Sequence, residues 1–244
     1  MLLAATAARH FTRLQQGWYP GLATICVWGS ERDIGKQRSR RNRLTAFLRN
    51  DWLVDGYALG EDTLQAVWNH LRRHREVAIY GFTSMLEFVA REVVKRQISP
   101  PGRVRAAWHG GEMLFPEQSE LFRQAFGVPI LNLYGGRELS ALAYQPACGA
   151  SLKVLRPLVF VEIVDDAGRP VPPGESGRLV CTSTVCRGTP FLRYDIGDLG
   201  CAIAADQDEA GIRALTELQG RSAGLLRLPS GKVINCIFWN HLFK

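Results

Sequence analysis

Apolar positions in the first half of the chain form two patterns that alternate along the sequence. Short apolar runs of strand length are separated by longer segments in which apolar residues recur every three or four positions, as on one face of a helix. Such alternation predicts a largely parallel sheet covered by helices. The predicted strands are Leu22–Trp28, Val77–Tyr80, Val104–Trp108 and Pro129–Leu133, and the predicted helices are Asp62–His74, Thr83–Gln97 and Pro116–Phe126.

Two of these helices begin with clear sequence signals. Thr83 offers a hydroxyl N-cap with an acid, Glu87, in the first turn, and Pro116 occupies a first-turn position where its missing N–H costs nothing. Both helices begin just after a predicted strand ends. In open parallel sheets ligands collect at this edge, because strands finish there and helix N-termini point inwards.

After about residue 150 the pattern changes to short β-like runs separated by turn residues, such as Asp165–Gly168 and Pro172–Gly174. We predict an antiparallel sheet or barrel beside the parallel layer. The chain is therefore predicted to be α/β, with a partial parallel layer in residues 1–150 and a β-rich subdomain in residues 151–235. The predicted strands of the second half are Val159–Val164, Gly177–Ser183, Leu199–Ala204, Ile212–Leu218 and Leu225–Leu228.

Composition indicates a soluble globular protein. Of its 244 residues, 46% are hydrophobic and 22% charged, as is usual for such proteins. No apolar run approaches the roughly 20 residues of a membrane-spanning helix, so we expect a cytoplasmic protein with no membrane span. The six cysteines include no Cys-x-x-Cys pair and no histidine at metal-ligand spacing, which predicts mostly buried free thiols rather than a zinc module.

The net charge of +7 is concentrated in one short region, from Arg32 to Arg49. Such a patch raises the question of nucleic-acid binding. However, no aromatic residue lies between Gly35 and Thr45, which argues against that partner. We predict a solvated helix face or a flexible arginine loop, with binding of a phosphate-rich ligand as the alternative. The basic residues of this cluster are Arg32, Lys36, Arg38, Arg40, Arg41, Arg43 and Arg49.

The segment Leu131–Glu138 places an aromatic ring, a glycine turn and a carboxylate directly after an apolar strand. A mononucleotide could use all three features. The ring offers a stacking face, the glycines allow close backbone approach, and the carboxylate can hold a divalent metal beside phosphate. The same residues also suit an ordinary junction between a strand and a helix.

Later motifs follow this Tyr-Gly-x-x-Glu turn in a set order, and together they resemble the adenylate-forming enzymes. These are the acyl-CoA synthetases, the luciferases and the adenylation domains of peptide synthetases. Within this superfamily the chain is most similar to the phenylacetate–CoA ligase family and its capsular-polysaccharide-type relatives. The segments that carry the resemblance are Trp108–Glu112, Tyr134–Glu138, Gly177–Ser183, Thr189–Asp198, Leu218–Ser222 and Arg227–Lys232.

The resemblance implies that the chain holds a nucleotide at matching positions. The backbone of Gly110, Gly111 and Glu112 would form part of the adenine wall. Asn132 would reach the exocyclic amine, and Tyr134 would stack on the ring beside the Gly135–Gly136 turn. His109 lies just before these glycines, and it could equally be a satisfied histidine of the protein core.

The resemblance also implies contacts to the phosphates, to magnesium and to ribose. Arg137, which stands where many relatives carry threonine, would contact the α-phosphate, and Glu138 would hold Mg²⁺, so both would be catalytic. Asp198 would accept hydrogen bonds from the ribose hydroxyls, and Arg221 would bind ribose or phosphate oxygens. Asp198 could instead cap a turn and Arg221 could be a surface cation. Arg193 could be structural or a phosphate contact.

The family's reaction joins a carboxylic acid to ATP through an acyl-adenylate and then transfers the acyl group to coenzyme A. The expected ligands are thus ATP or AMP, Mg²⁺, coenzyme A and a small carboxylic acid, and Tyr80–Ser84 resembles the segment that borders the acyl pocket. We find no Ser/Thr/Gly-rich phosphate loop before Trp28, no aspartate in residues 222–224, and only the start of a C-terminal lid in residues 236–244. We therefore expect weak or no ligase activity from this chain alone. The alternative is a non-catalytic adenylate- or acyl-binding module whose protein partner supplies the missing segments.

Overall fold

The computed structural model describes residues 2–28, 39–56, 59–98, 103–208, 211–221, 225–227 and 233–235. The chain forms two compact units. The first unit comprises residues 9–134 and 145–148, and the second comprises residues 1–8, 135–144 and 149–244. The predicted domain bounds at residues 150 and 235 stay predictions, and residues 236–244 lie outside the described part.

The first unit is built on parallel strands covered by helices. Among the described residues its strands follow the order β2–β1–β3–β4–β5 and all neighbouring pairs are parallel. The strands are β1 (Ala23–Trp28), β2 (Asp51–Asp55), β3 (Glu76–Phe82), β4 (Arg103–Gly110) and β5 (Ile130–Gly136), of which the last continues into the second unit. The helices are α1 (Leu2–Gln15), which begins in the second unit, α2 (Arg40–Arg49), α3 (Glu61–Arg73), α4 (Thr83–Lys95) and α5 (Pro116–Phe126).

Alternation along the strands produces two apolar clusters in this unit. Ile25, Val27 and Ile79 belong to the larger cluster, together with apolar residues of α3, α4 and α5. Neighbouring strand residues point to the opposite face, where Trp108 joins Trp18 in a smaller cluster. Both faces of the sheet are thus buried, as is usual for parallel strands.

The second unit is built from antiparallel strands. Its described residues form a sheet in the order β8–β9–β10–β14 and a second ladder in the order β6–β7–β13. Apolar residues alternate in β8, where Val159, Val161 and Ile163 are buried. The strands are β6 (Ser140–Tyr144), β7 (Leu152–Val154), β8 (Val159–Val164), β9 (Ser176–Ser183), β10 (Tyr194–Cys201), β11 (Gln207–Asp208), β12 (Gly211–Ile212), β13 (Ala214–Leu215), β14 (Glu217–Arg221), β15 (Leu225–Arg227) and β16 (Val233–Asn235).

This architecture confirms the predicted α/β class, with parallel strands first and antiparallel strands afterwards. The predicted single strand Ile212–Leu218 is wrong, because its pieces join different partners. β12 pairs with β11, β13 with β7, and β14 with β10. At the breaks, Arg213 donates its backbone N–H to Asp206, and Thr216 donates to Cys201. The chain therefore changes partner every two or three residues.

Part of the arginine cluster is helical, since Arg40–Arg49 forms α2. This agrees with the helix-face alternative for that part, whereas Arg32, Lys36 and Arg38 lie outside the described residues. No helix in the described part of the chain is long and apolar enough to cross a membrane.

Candidate functional site

Two glycines near the carboxyl edge of the parallel sheet lie against the main chain of neighbouring strands. A Cβ atom on Gly81, near the end of β3, would lie 2.5 Å from the carbonyl oxygen of Val27. A Cβ atom on Gly110, at the end of β4, would lie 2.9 Å from the carbonyl oxygen of Leu133. Both distances are shorter than normal van der Waals contact, so only glycine fits at these positions. Neighbouring strands therefore approach closely at these two buried glycines, whereas the next residue along the chain after Gly110, Gly111, is exposed.

Gly111 turns the chain away from this edge with a φ of +79°. A Cβ atom at this position would lie 2.7 Å from Cδ1 of Phe82. Phe82 in turn stacks on Trp28, with ring centroids 3.8 Å apart, and Trp28 also stacks on Tyr80 at 5.3 Å. The glycine turn thus lies against an aromatic surface formed at the ends of β1 and β3.

The side chain of Glu112 joins the glycine turn to helix α4. Its carboxylate accepts a hydrogen bond of 2.6 Å from the backbone N–H of Ser84 and another of 2.9 Å from the Ser84 hydroxyl. Glu112 therefore satisfies a donor in the first turn of α4, where a negative charge is also favoured by the helix dipole. The adenine-wall role expected for Glu112 involves its backbone and leaves this side-chain contact intact.

The predicted hydroxyl cap at Thr83 and the predicted acid in the first turn of this helix are both wrong. Phe82 occupies the N-cap position without a side-chain hydrogen bond, and Thr83 is the first helical residue. The Thr83 hydroxyl instead lies 2.9 Å from Nδ1 of His109. The helix end is stabilised by Glu112, which is 28 positions away in sequence, and no local sequence signal indicates that contact.

His109 is a core histidine whose polar partners are the Thr83 hydroxyl and the backbone of Glu112. Its side chain is completely buried, and burial lowers its pKa from 6.5 to about 4, because desolvation disfavours the charged imidazolium. Its Nε2 atom has no hydrogen-bond partner within the described residues. At neutral pH His109 is therefore uncharged, and its contact with Thr83 ties the end of β4 to the start of α4.

Two glutamines, which the sequence did not mark as site residues, hold the main chain of Asn132 in β5. Gln145 accepts the Asn132 N–H through Oε1 at 3.2 Å and donates its own N–H to the Asn132 carbonyl at 2.8 Å. Gln16 donates to the same carbonyl at 3.1 Å. The Asn132 side chain is half-buried. Because these bonds fix its main chain, the side-chain amide of Asn132 projects from a fixed point of β5. Tyr134, two positions on, is also half-buried.

In the second unit, the turn Gly135–Glu138 is exposed. A Cβ atom on Gly135 would lie 3.0 Å from Cα of Ala141 and closer still to the carbonyl oxygen of Ser140. The Glu138 carboxylate folds back over the turn, with Oε2 2.8 Å from the place of a Cβ atom on Gly136. Arg137 is exposed beside it. The turn thus presents main chain, a guanidinium group and a carboxylate together.

The structure pairs Asp198 with Arg221, the two residues predicted to contact ribose and phosphate. They lie opposite each other in β10 and β14, with Nε of Arg221 3.2 Å from Oδ1 of Asp198. Arg221 also donates through Nη1 to the Ile196 carbonyl at 3.2 Å. The Asp198 side chain is 18% exposed and that of Arg221 69%. Asp195 accepts the Gly197 N–H at 2.9 Å, and the turn-cap alternative for Asp198 stays a prediction.

Arg193 has a structural role. Its Nε lies 3.2 Å from Oε2 of Glu162, and its Nη2 donates to the Gly168 carbonyl at 2.9 Å. Its backbone adopts a left-handed conformation with a φ of +45°. These contacts support the structural alternative over the phosphate contact.

Residues 53–188 match the model of the family described as AMP-binding enzyme. The chain belongs to the AMP-binding enzyme family. The matched span includes the glycine turn at Gly110, the strand that carries Asn132 and the turn that ends at Glu138, whereas Asp198 and Arg221 follow it. No curated protein matches the chain.

Solved structures support the AMP-binding fold. The chain is 17% identical to 2-hydroxyisobutyryl-CoA ligase in complex with R3-HIB-AMP (TM-score 0.71), and the likeness covers 95% of this chain and 50% of that one. It is 18% identical to a benzoate CoA ligase from Burkholderia xenovorans LB400 (TM-score 0.57; 92% and 47%). It is 20% identical to the amide bond synthetase McbA from Marinactinospora thermotolerans (TM-score 0.59; 97% and 48%). The AMP-binding chain thus spans about half the length of each.

Two findings concern possible metal ligands and thiols in the described part of the chain. The described residues contain no group of three or more His, Cys, Asp or Glu side chains that could hold a metal ion. Across the same residues, the cysteines form no disulfide.

Proposed function

We propose that this chain binds the adenylate part of an acyl-adenylate, and that it is part of a phenylacetate–CoA-ligase-like protein. The observation that carries the proposal is the pair Gly110–Gly111 at the carboxyl end of β4. This pair lies next to Asn132 of β5, in the span that matches the family. Adenine is flat and carries hydrogen-bonding edges. It therefore suits a surface of bare main chain with one side-chain amide.

In each unit, the chemistry of the proposed residues suits one part of an adenosine. The Asn132 amide would accept from the exocyclic amine through its oxygen, and Tyr134 would cover one face of the ring. On the ribose side, Asp198 is an acceptor-only group that would receive hydrogen bonds from both hydroxyls. Arg221 would offset its charge, because the pair already lies within 3.2 Å.

The residues also fit a magnesium ion held jointly with phosphate. Mg²⁺ is usually bound by one or two carboxylates together with phosphate oxygens and water, rather than by a protein cage. Glu138 offers one exposed carboxylate for such an ion. Arg137 would contact the α-phosphate from the same turn. When bound, the metal would neutralise phosphate charge.

The proposed whole-protein reaction is the ATP-dependent activation of a carboxylic acid, followed by transfer to coenzyme A. The aromatic rings support an apolar acid, because Tyr80 and Phe82 belong to the segment that resembles an acyl-pocket border and both stack on Trp28. For these 244 residues alone, we propose that adenylate binding is stronger than adenylate synthesis. A second candidate, a non-catalytic module that works with a protein partner, is favoured by the same set of nucleoside-side residues.

Calorimetry with AMP, GMP and a non-hydrolysable acyl-sulfamoyl adenosine tests the proposal. We expect binding of AMP and of the analogue but not of GMP. We expect about tenfold weaker AMP binding in Asn132→Ala and Asp198→Asn, since each loses about one hydrogen bond to the ligand. Asp166→Asn is the matched control, because Asp166 is fully exposed. If AMP produces no heat and no thermal shift, the proposal fails.

ATP–pyrophosphate exchange with a panel of aryl and aliphatic acids separates the two candidates. Slow exchange by the chain alone is the expected result, and it would support the candidate in which the chain is part of a ligase. AMP binding without any exchange would support the non-catalytic module. Robust exchange would contradict the expectation of impaired activity.

A further inference from the structure

Helix α2 (Arg40–Arg49) presents an apolar stripe to solvent. Leu44, Phe47 and Leu48 are 59%, 65% and 74% exposed. Their i, i+3, i+4 spacing places them on one face of the helix. Thr45 and Ala46, which point elsewhere, are only half-exposed. The helix is thus oriented with its most apolar face outwards, which is the reverse of an ordinary surface helix.

Arginines surround this stripe. At about 100° per residue, Arg40 falls within the apolar arc, while Arg41 and Arg43 border its two sides. All three are exposed, and within the described residues none forms an ion pair. The helix contains no acidic residue, and residues 29–50 carry seven basic residues against Glu31 and Asp33. The face therefore combines apolar area with unneutralised positive charge.

The helix is fixed firmly at its C-terminal end. Asn50 adopts a left-handed conformation with a φ of +55°, and its N–H bonds to carbonyls in the last turn. Its side chain donates to the Gly21 carbonyl at 3.0 Å and accepts the Trp52 indole N–H at 2.9 Å. The exposed face is therefore held on a folded part of the first unit.

We propose that α2 docks this chain onto an anionic phospholipid surface. Leucine and phenylalanine side chains would enter the boundary between headgroups and acyl chains, while the arginines would bind lipid phosphates. Charge complementarity favours this occupant, because the face is wholly basic. The apolar stripe disfavours nucleic acid, which offers no counterpart to a row of exposed Leu and Phe side chains. This docking does not depend on nucleotide binding.

Sedimentation of the full chain with lipid vesicles tests the proposal. We expect binding to phosphatidylcholine vesicles that contain phosphatidylserine, weaker binding to phosphatidylcholine alone, and a decrease as salt is added. Replacing Arg40, Arg41 and Arg43 by Gln should weaken binding about fivefold per arginine, or roughly a hundredfold together. The matched charge control replaces the exposed residues Arg72, Arg73 and Arg75 by Gln and should change binding little.

The apolar part is tested separately by replacing Leu44, Phe47 and Leu48 by Ser. Binding should fall at least about tenfold, whereas the control Leu192→Ser, at a residue 72% exposed elsewhere, should retain it. Circular dichroism checks that each variant is folded. If the apolar variant does not fold, the arginine variant still provides an independent test.

Three results would overturn the proposal. The first is that neither vesicle binds, and the second is that both triple variants bind as well as the parent chain. The third is self-association without lipid that the apolar variant abolishes, which would assign the face to a second copy of the chain.

Discussion

Replacing Glu112 by Ala should destabilise the first unit more than any other single carboxylate substitution near the glycine turn. The change removes two hydrogen bonds, of 2.6 Å and 2.9 Å, from Ser84 to a charged acceptor. It also leaves the N-terminus of α4 without a side-chain cap, since Phe82 provides none. The cost has two sources, the unsatisfied N–H of Ser84 and the lost interaction of a negative charge with the helix dipole.

The magnitude follows from these contacts. A hydrogen bond to a charged group contributes about 1.5–3 kcal/mol, and loss of a helix cap costs about 0.5–2 kcal/mol. Because Glu112 is half-exposed, water replaces part of what is lost. We therefore expect the free energy of unfolding to fall by about 2 kcal/mol in Glu112→Ala and by about 1 kcal/mol in Glu112→Gln, which keeps an acceptor oxygen but loses the charge.

Urea unfolding followed by tryptophan fluorescence measures this loss in the appropriate unit. Five of the six tryptophans lie in residues 9–134, so the signal reports mainly on the first unit. The matched control is Glu117→Ala, an exposed acid in the first turn of α5, where only the dipole effect of about 0.3–1 kcal/mol is lost. Equal losses for the Glu112 and Glu117 variants would refute the reasoning, because they would show that the Ser84 contacts contribute nothing.

Two further predictions concern the same edge of the sheet. Burial lowers the pKa of His109 from 6.5 to about 4, so the unfolded chain binds the proton more readily than the folded chain. The free energy of unfolding should therefore be highest above pH 6.5 and fall by up to about 3 kcal/mol as the pH drops to 4. Urea unfolding at several pH values should show this slope in the parent chain and a smaller one in His109→Asn; equal slopes would contradict the assignment to His109. Gly111→Ala should cost about 2–3 kcal/mol, through left-handed strain and displacement of Phe82. Gly127→Ala, with a φ of +75° and no atom within 4 Å of the new Cβ, should cost only about 1 kcal/mol, and equal losses in denaturant unfolding would exclude the Phe82 contact.

The parallel unit was predictable because its strands and helices differ strongly in apolar period. The bounds of Pro116–Phe126 match fully, since proline fits the first turn and Gly127 adopts the left-handed conformation that ends a helix. The helix Leu2–Gln15 was not predicted, as its first turn contains no acid. The strand Asp51–Asp55 was also missed, because it is short and bounded by aspartates.

The candidate site was predictable only where the sequence places its residues close together. The turn from Tyr134 to Glu138 is a local motif, and the sequence marks it directly. The pairing of Asp198 with Arg221 depends on the register of two antiparallel strands, and the contact of Glu112 with Ser84 joins positions 28 residues apart. Such contacts arise from topology, so composition and spacing could not indicate them.

The glycines Gly81, Gly110 and Gly135 set a limit on how this fold can diversify. At each position the space of a side chain is already taken by the main chain of a neighbouring strand or turn, so in a saturation library all three should accept glycine alone. Residues between them, such as Phe82 and Asn132, carry no such restriction. New ligand preferences in this scaffold must therefore arise from substitutions between the glycines, while the glycines themselves remain unchanged as the preferences diverge.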